Sequence, residues 1–175
     1  MAATTCRSWT DGGLDLYGLD VSMEALRGLT RRRPALASHL IHADVRRFEP
    51  ARPFGYLIAI QVFQHGAGDD ARAYFNKVAE LLRPGGLFFL RVNSASTQIY
   101  HAHSVTELSP TGSFTVRYDA GSKKGLLVHF YSRAELQALA AKALCPVGEP
   151  REAVIPRSLP QIGSWAQWEM IWTRR

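Results

Sequence analysis

The chain has 175 residues, 46% of them hydrophobic, which is enough to bury one sizeable core and too little for two ordinary domains. Lysine and arginine outnumber aspartate and glutamate by 21 to 15, and this net charge of +6 is spread along the chain, against the concentrated basic face of a nucleic-acid binder. No apolar run approaches the roughly 18 residues of a membrane span, the start lacks the basic-then-apolar pattern of a secretion signal, and Cys6 and Cys145 are too isolated for a disulfide framework or a zinc site. The expectation is a single cytoplasmic domain over residues 1–175, with no metal, no membrane segment and no nucleic-acid partner.

Residues 16–20 read as a strand ending in Asp20. Ser22 then fits the N-cap of a helix with Met23, Leu26 and Leu29 on one side. Three arginines at 31–33 close that helix, where cations oppose the negative end of its dipole. The chain is extended again at 40–43 and meets a second carboxylate, Asp44. Residues 56–60 are continuously apolar, as in a strand covered on both faces.

A helix is expected over 71–82, with Tyr74, Phe75, Val78, Leu81 and Leu82 on one stripe and Asp69 and Asp70 ahead of its N-terminus. Arg83-Pro84-Gly85-Gly86 stops it, and residues 87–90 form the next buried strand. Strands alternating with helices imply an α/β sheet, mostly parallel. Phe114, Val116 and Tyr118, then Leu126, Val128 and Phe130, alternate with polar residues about a turn-rich link and predict a hairpin. Ser132 and Glu135 fit a capping box opening a helix that carries Leu136, Leu139, Ala140 and Ala143 inward. Residues 167–173 predict a terminal strand with Trp168, Met170 and Trp172 on one face.

In open α/β sheets ligands collect at the carboxyl ends of the strands. An acid at such a tip can accept hydrogen bonds from both hydroxyls of a ribose, and a second acid on the next strand can accept from an exocyclic amine. Asp20 and Asp44 stand at these places, where aspartates also serve as turn and helix caps.

The segments YGLDVSMEAL, HADVRRF, FGYLIAIQVFQH and LLRPGGLFFLRVNS, followed by FYSRAELQALAAKAL and WEMIW, resemble in order and spacing the class I S-adenosylmethionine-dependent methyltransferases. The resemblance runs from Gly13 onward and implies a Rossmann-like sheet, mostly parallel with an antiparallel C-terminal strand. It implies S-adenosylmethionine as cofactor, with Asp20 on the ribose, Val21, Ser22 and Met23 along the adenine face, and Asp44 and Val45 at the adenine edge. Ile60 and Gln61 match the segment after the family's fourth strand, where the cofactor's methionine end and the acceptor meet. His65, just beyond, is the candidate base for an acceptor that must lose a proton, or else a cap for the next helix. His39, His42 and His129 read as structural, and His101 and His103 as loop or strand residues.

Two departures from the family stand out. Gly55 occupies a position where the family commonly has aspartate. The glycine-rich loop that opens the family's domain is missing: Asp11-Gly12-Gly13 is the nearest candidate, yet it lies too close to Asp20 for the intervening helix a parallel crossover requires. The first twelve residues are therefore atypical and the sheet is expected to be N-terminally incomplete, through a shortened form of a normal enzyme, with self-association through the incomplete sheet as one way of filling the gap.

The expected activity is methyl transfer to a small-molecule acceptor, with residues 94–131 as an inserted hairpin region near the acceptor pocket and Tyr100, Tyr118 and Tyr131 nearby. The alternative is a catalytically inactive methyltransferase-like adaptor or partner subunit that binds another chain through Trp165, Trp168 and Trp172. A nicotinamide-dependent dehydrogenase ranks last, because its own glycine fingerprint is equally missing.

Overall fold

A computed structural model describes residues 15–175. Cys6, the Asp11-Gly12-Gly13 candidate and the atypical first twelve residues lie outside the described residues. The chain divides into two compact units, with the boundary between Glu49 and Pro50.

The first unit is one strand–helix–strand crossover. Strand β1 (Gly18–Asp20) feeds helix α1 (Met23–Arg32), and the chain returns as β2 (Leu40–His42), parallel to β1 and in register from Gly18↔Leu40 to Asp20↔His42. Helix α1 starts at Ser22, whose hydroxyl accepts from the Ala25 N–H at 3.1 Å, and Leu26 is its buried residue. Arg31 and Arg32 fill its last turn, and Arg33 leads into a 3-10 turn opened by Pro34. Asp20 and Asp44 thus follow the carboxyl ends of two adjacent parallel strands.

The second unit is built on β3 (Phe54–Ile60), α2 (Gly68–Leu81) and β4 (Leu82–Asn93), with β3 and β4 parallel. The helix starts three residues before the position expected from sequence and ends at Leu81. Leu82 is extended because the backbone turns outward at Arg83–Gly86: Phe54 pairs with Leu82 but Tyr56 with Leu87. Gly86 is needed at that turn, since a Cβ there would lie 2.8 Å from the Arg83 carbonyl oxygen and 3.1 Å from that of Gly55. Gly55 lies under the same excursion, with the Arg83 side chain 3.4 Å from where its Cβ would be.

Three antiparallel strands follow, β5 (His103–Leu108), β6 (Phe114–Tyr118) and β7 (Leu127–Phe130), the last two forming the expected hairpin. Helix α3 (Arg133–Ala140) is capped by Ser132, and β8 (Leu144–Pro146), β9 (Arg151–Pro156) and β10 (Ser164–Arg174) complete the chain. Strand β10 lies antiparallel to β4, β8 and β9.

The expectation of a mostly parallel sheet is corrected here. Only β1–β2 and β3–β4 are parallel among the described residues; the remaining pairs are antiparallel, so the fold is α/β with mixed sheets. Strands β5–β6, β6–β7 and β9–β10 are joined by short links, which antiparallel pairing permits and parallel pairing does not.

One face of the second unit's larger sheet is its core. Phe88, Leu90, Met170 and Trp172 are buried there, beneath Phe75 and Val78 of α2. Phe75 meets Phe88 and Trp172 edge-on, at 5.9 and 5.6 Å between centroids, while Phe88 and Trp172 stack at 5.6 Å. Such pairs add about 0.5–1.5 kcal/mol each to the burial of the rings. The opposite face exposes Tyr56, Ile58, Ile60 and Ile171. A second core of Val116, Tyr118, Val128 and Phe130 lies in the hairpin. No helix among the described residues is long and apolar enough to cross a membrane.

Candidate functional site

In the first unit Asp20 closes β1, and its Oδ1 accepts from the Ser22 N–H at 2.8 Å. Its Oδ2 has no partner among the described residues. Val21 and Met23 beside it are exposed, at 65% and 40%. His42 reaches back from the end of β2, with Nε2 2.9 Å from the Val21 carbonyl. A carbonyl only accepts, so His42 donates through Nε2, a structural strap that holds the turn carrying Val21.

Asp44 caps the 3-10 turn Val45–Arg47, accepting from the Arg46 N–H at 2.9 Å. Both its oxygens also take the Arg46 guanidinium, at 2.5–3.0 Å. Hydrogen bonds from Arg46 hold this carboxyl below its ordinary value, against the opposing effect of burial. Asp44 is thus a bidentate ion-pair partner as well as a strand-tip acid. The Val45 N–H stands at the first position of the turn, where no intrahelical acceptor exists.

In the second unit the segment after β3 is held in an uncommon shape. Ile60 is exposed at 41%, and Gln61 follows with φ of 60°, the left-handed region that non-glycine residues seldom occupy. The Gln61 N–H donates to the Arg91 carbonyl at 2.8 Å. Beyond it, Gln64 is buried; its Oε1 accepts from the Asn93 N–H at 3.0 Å, and its Nε2 donates to Gln61 Oε1 at 2.6 Å. A backbone N–H can only donate, so this order fixes the orientation of both amides. Gln61 Nε2 is left buried without a partner.

His65 is exposed and does not cap α2, whose N-cap is Ala67. The Ala67 N–H donates to Asp70 at 2.9 Å, and the Gly68 N–H to Glu107 at 2.9 Å. The backbone of His65 bridges to Val128, and its carbonyl accepts from the Tyr74 hydroxyl at 3.0 Å. Partial desolvation of its ring lowers its pKa, a hydrogen bond to the Gln61 backbone opposes this, and the charge of Lys123 adds to the lowering. A neutral imidazole at neutral pH is the form a general base needs.

Sequence reasoning assigned no role to Gln64, Asn93 or Gln167. Asn93 closes β4, but Gln64 lies in the turn after β3 and Gln167 inside β10, so no common position in the sequence marks them. His129 is structural as expected, buried between Thr115 and Glu135 at 2.8 Å from each. His39 lies 3.5 Å from Asp15 and packs against the Tyr17 ring.

The methyltransferase-domain family matches residues 2–86. No curated protein matches the chain by sequence. Among solved structures, the Burkholderia thailandensis 1,6-didemethyltoxoflavin-N1-methyltransferase, crystallised with 1,6-didemethyltoxoflavin and S-adenosylhomocysteine, is similar over 97% of this chain and 65% of its own, at TM-score 0.65 and 16% identity. The N-methyltransferase NodS from Bradyrhizobium japonicum, in complex with S-adenosylhomocysteine, is similar over 89% of this chain and 64% of its own, at TM-score 0.57 and 14% identity. The CcbJ methyltransferase from Streptomyces caelestis is similar over 94% and 81%, at TM-score 0.62 and 15% identity. The chain therefore spans just under two thirds of the length of the first two. Likeness at this identity shows a shared fold, that of solved S-adenosylmethionine-dependent methyltransferases, and the methyltransferase-domain match covers the N-terminal portion of the chain.

Proposed function

We propose that the protein transfers a methyl group from S-adenosylmethionine to a small-molecule acceptor, and that residues 1–175 work as a single methyltransferase-like domain with residues 94–131 beside the acceptor. The observation that carries this reading is the pair of aspartates following the tips of adjacent parallel strands, Asp20 with one carboxylate oxygen still available. That oxygen suits a ribose hydroxyl, and the Val45 N–H suits a ring nitrogen. Asp44 fits less simply, because an adenine amine must share its carboxylate with Arg46. Structural relatives crystallised with S-adenosylhomocysteine support the choice of cofactor.

Bound there, the cofactor supplies a methyl group activated by its sulfonium. The residues' work is then positioning and exclusion of water. Asp20 orients the nucleoside, and Val21, Ser22 and Met23 flank the base. His65 takes a proton where the acceptor must lose one. The structural relative crystallised with 1,6-didemethyltoxoflavin supports a small-molecule acceptor.

The test is thermal denaturation with added S-adenosylhomocysteine. A ligand that binds only the folded state stabilises it by about 2.7 kcal/mol at a hundredfold excess over Kd, so the melting temperature should climb with ligand concentration. A melting temperature that stays constant up to millimolar ligand overturns the reading.

A further inference from the structure

We infer that two buried glutamine amides, Gln61 and Gln167, form an acceptor subsite that reads carbonyl oxygens, so that the acceptor is a planar molecule carrying a lactam or carboxamide group. This rests on the methyl-transfer reading above and adds the chemistry of the acceptor to it.

Gln167 is 4% exposed and, like Gln61, has a buried Nε2 with no hydrogen-bond partner. Both gather around one residue, Asn93, at the carboxyl end of β4. Gln167 is its ladder partner on β10, and Gln61 is tied to its N–H through Gln64. An unpaired buried donor costs roughly 1–3 kcal/mol, and Gln61 also bears a left-handed backbone. Two such liabilities around one strand end mark donors reserved for an outside acceptor atom.

The surroundings set what that molecule looks like. Side chains paired across a sheet share a face, so Ile60, Asn93, Trp165 and Gln167 lie on the face opposite α2. Asn93 Oδ1 accepts from Trp165 Nε1 at 3.2 Å, which fixes the indole. Ile60 and Trp165 offer apolar surface to a flat ring. Glu169, on the next rung of that face, is occupied by Arg91, so it does not compete for the amide donors. With the oxygens of Gln61 and Asn93 taken by Gln64 and Trp165, the Nε2 donors favour C=O over N–H of the same shape.

Benzamide and benzamidine test this directly, being isosteric but for a carbonyl replaced by an amidinium. Titrated into the full chain with S-adenosylhomocysteine and followed by NMR, benzamide should bind and shift the side-chain NH2 resonances of Gln61 and Gln167. Benzamidine should bind at least about 10-fold more weakly, the effect of one buried hydrogen bond. Gln61→Glu keeps the oxygen that Gln64 needs while replacing the donor by an acceptor, so the preference should reverse. Gln167→Leu should weaken benzamide about 10-fold with a melting temperature no lower than wild type, where a merely structural glutamine would lower it. Equal affinity for the two probes, or a preference unchanged in Gln61→Glu, overturns the subsite. Cofactor binding with no probe preference overturns the subsite alone, and probe preference without cofactor binding overturns the methyl-transfer reading alone.

Discussion

Asp20 and Ser22 are two residues apart and do different work, which substitution can separate. Ser22 caps α1 through the Ala25 N–H, and an N-cap of this kind contributes about 1 kcal/mol to stability. Asp20 contributes one hydrogen bond to the same turn and holds an oxygen outward. Asp20→Asn should leave the melting temperature near wild type while weakening S-adenosylhomocysteine roughly 10- to 100-fold, the range for losing hydrogen bonds to a charged group. Ser22→Ala should do the opposite, lowering stability by about 1 kcal/mol with affinity nearly unchanged. Calorimetric titration beside chemical denaturation distinguishes the two, and an Asp20→Asn variant of wild-type affinity removes Asp20 from the ribose.

Between elements, the organising contact is the grip of β7 on the segment after β3. The His129 N–H donates to the Gln64 carbonyl at 2.8 Å, the Gly66 N–H to the Leu127 carbonyl at 3.1 Å, and the Tyr131 hydroxyl to the Phe63 carbonyl. Tyr131 is fully buried, and burial raises its phenol well above its ordinary pKa, so it stays a donor. Tyr131→Phe leaves the Phe63 carbonyl unsatisfied and should cost about 1–3 kcal/mol. Amide hydrogen exchange should lose protection chiefly over residues 61–67, and a uniform loss across the chain would mean that the clamp is not local.

None of this grip was legible in the sequence, although its parts were. Alternation at 114–118 and 127–130 announces a hairpin, and the apolar stripe of Phe75, Val78 and Leu81 announces α2. Strands β5 and β9 escape because they are largely exposed and lack an inward apolar row, and β8 because three residues carry no period. The extension of β4 back to Leu82 hides behind Pro84 and two glycines, which read locally as a stop while the chain only bulges. The strand-tip aspartates were visible because local chain order puts them there. The Gln61–Gln64–Asn93 relay was not, since residues 29 apart meet only through pairing of β3 with β4.

At the scale of the molecule, titration couples the site to stability, and its groups act with one sign. Glu107 is held below its ordinary 4.5 by hydrogen bonds from the Gly68 N–H and the Thr115 hydroxyl. For Glu135 burial works upward, but hydrogen bonds from His129 and Ser113 outweigh it and the pKa ends lowered. A carboxylate depressed on folding contributes stability that is full above its unfolded pKa and is lost as pH falls through the folded one. His65 is lowered from 6.5, so between its folded pKa and 6.5 the unfolded chain binds more protons and stability again declines with acid. Unfolding free energy should therefore fall in two stages on acidification, first below pH 6.5 and then below pH 4.5. His65→Gln should flatten the first stage alone and Glu107→Gln part of the second, as urea denaturation across that range would read. Since the first stage belongs to the proposed base, a methyl-transfer rate that rises with pH in the window where the His65→Gln difference appears would tie the same proton to catalysis and to folding. A flat wild-type stability profile between pH 8 and 5 would show that His65 is as solvated in the folded protein as in the unfolded chain.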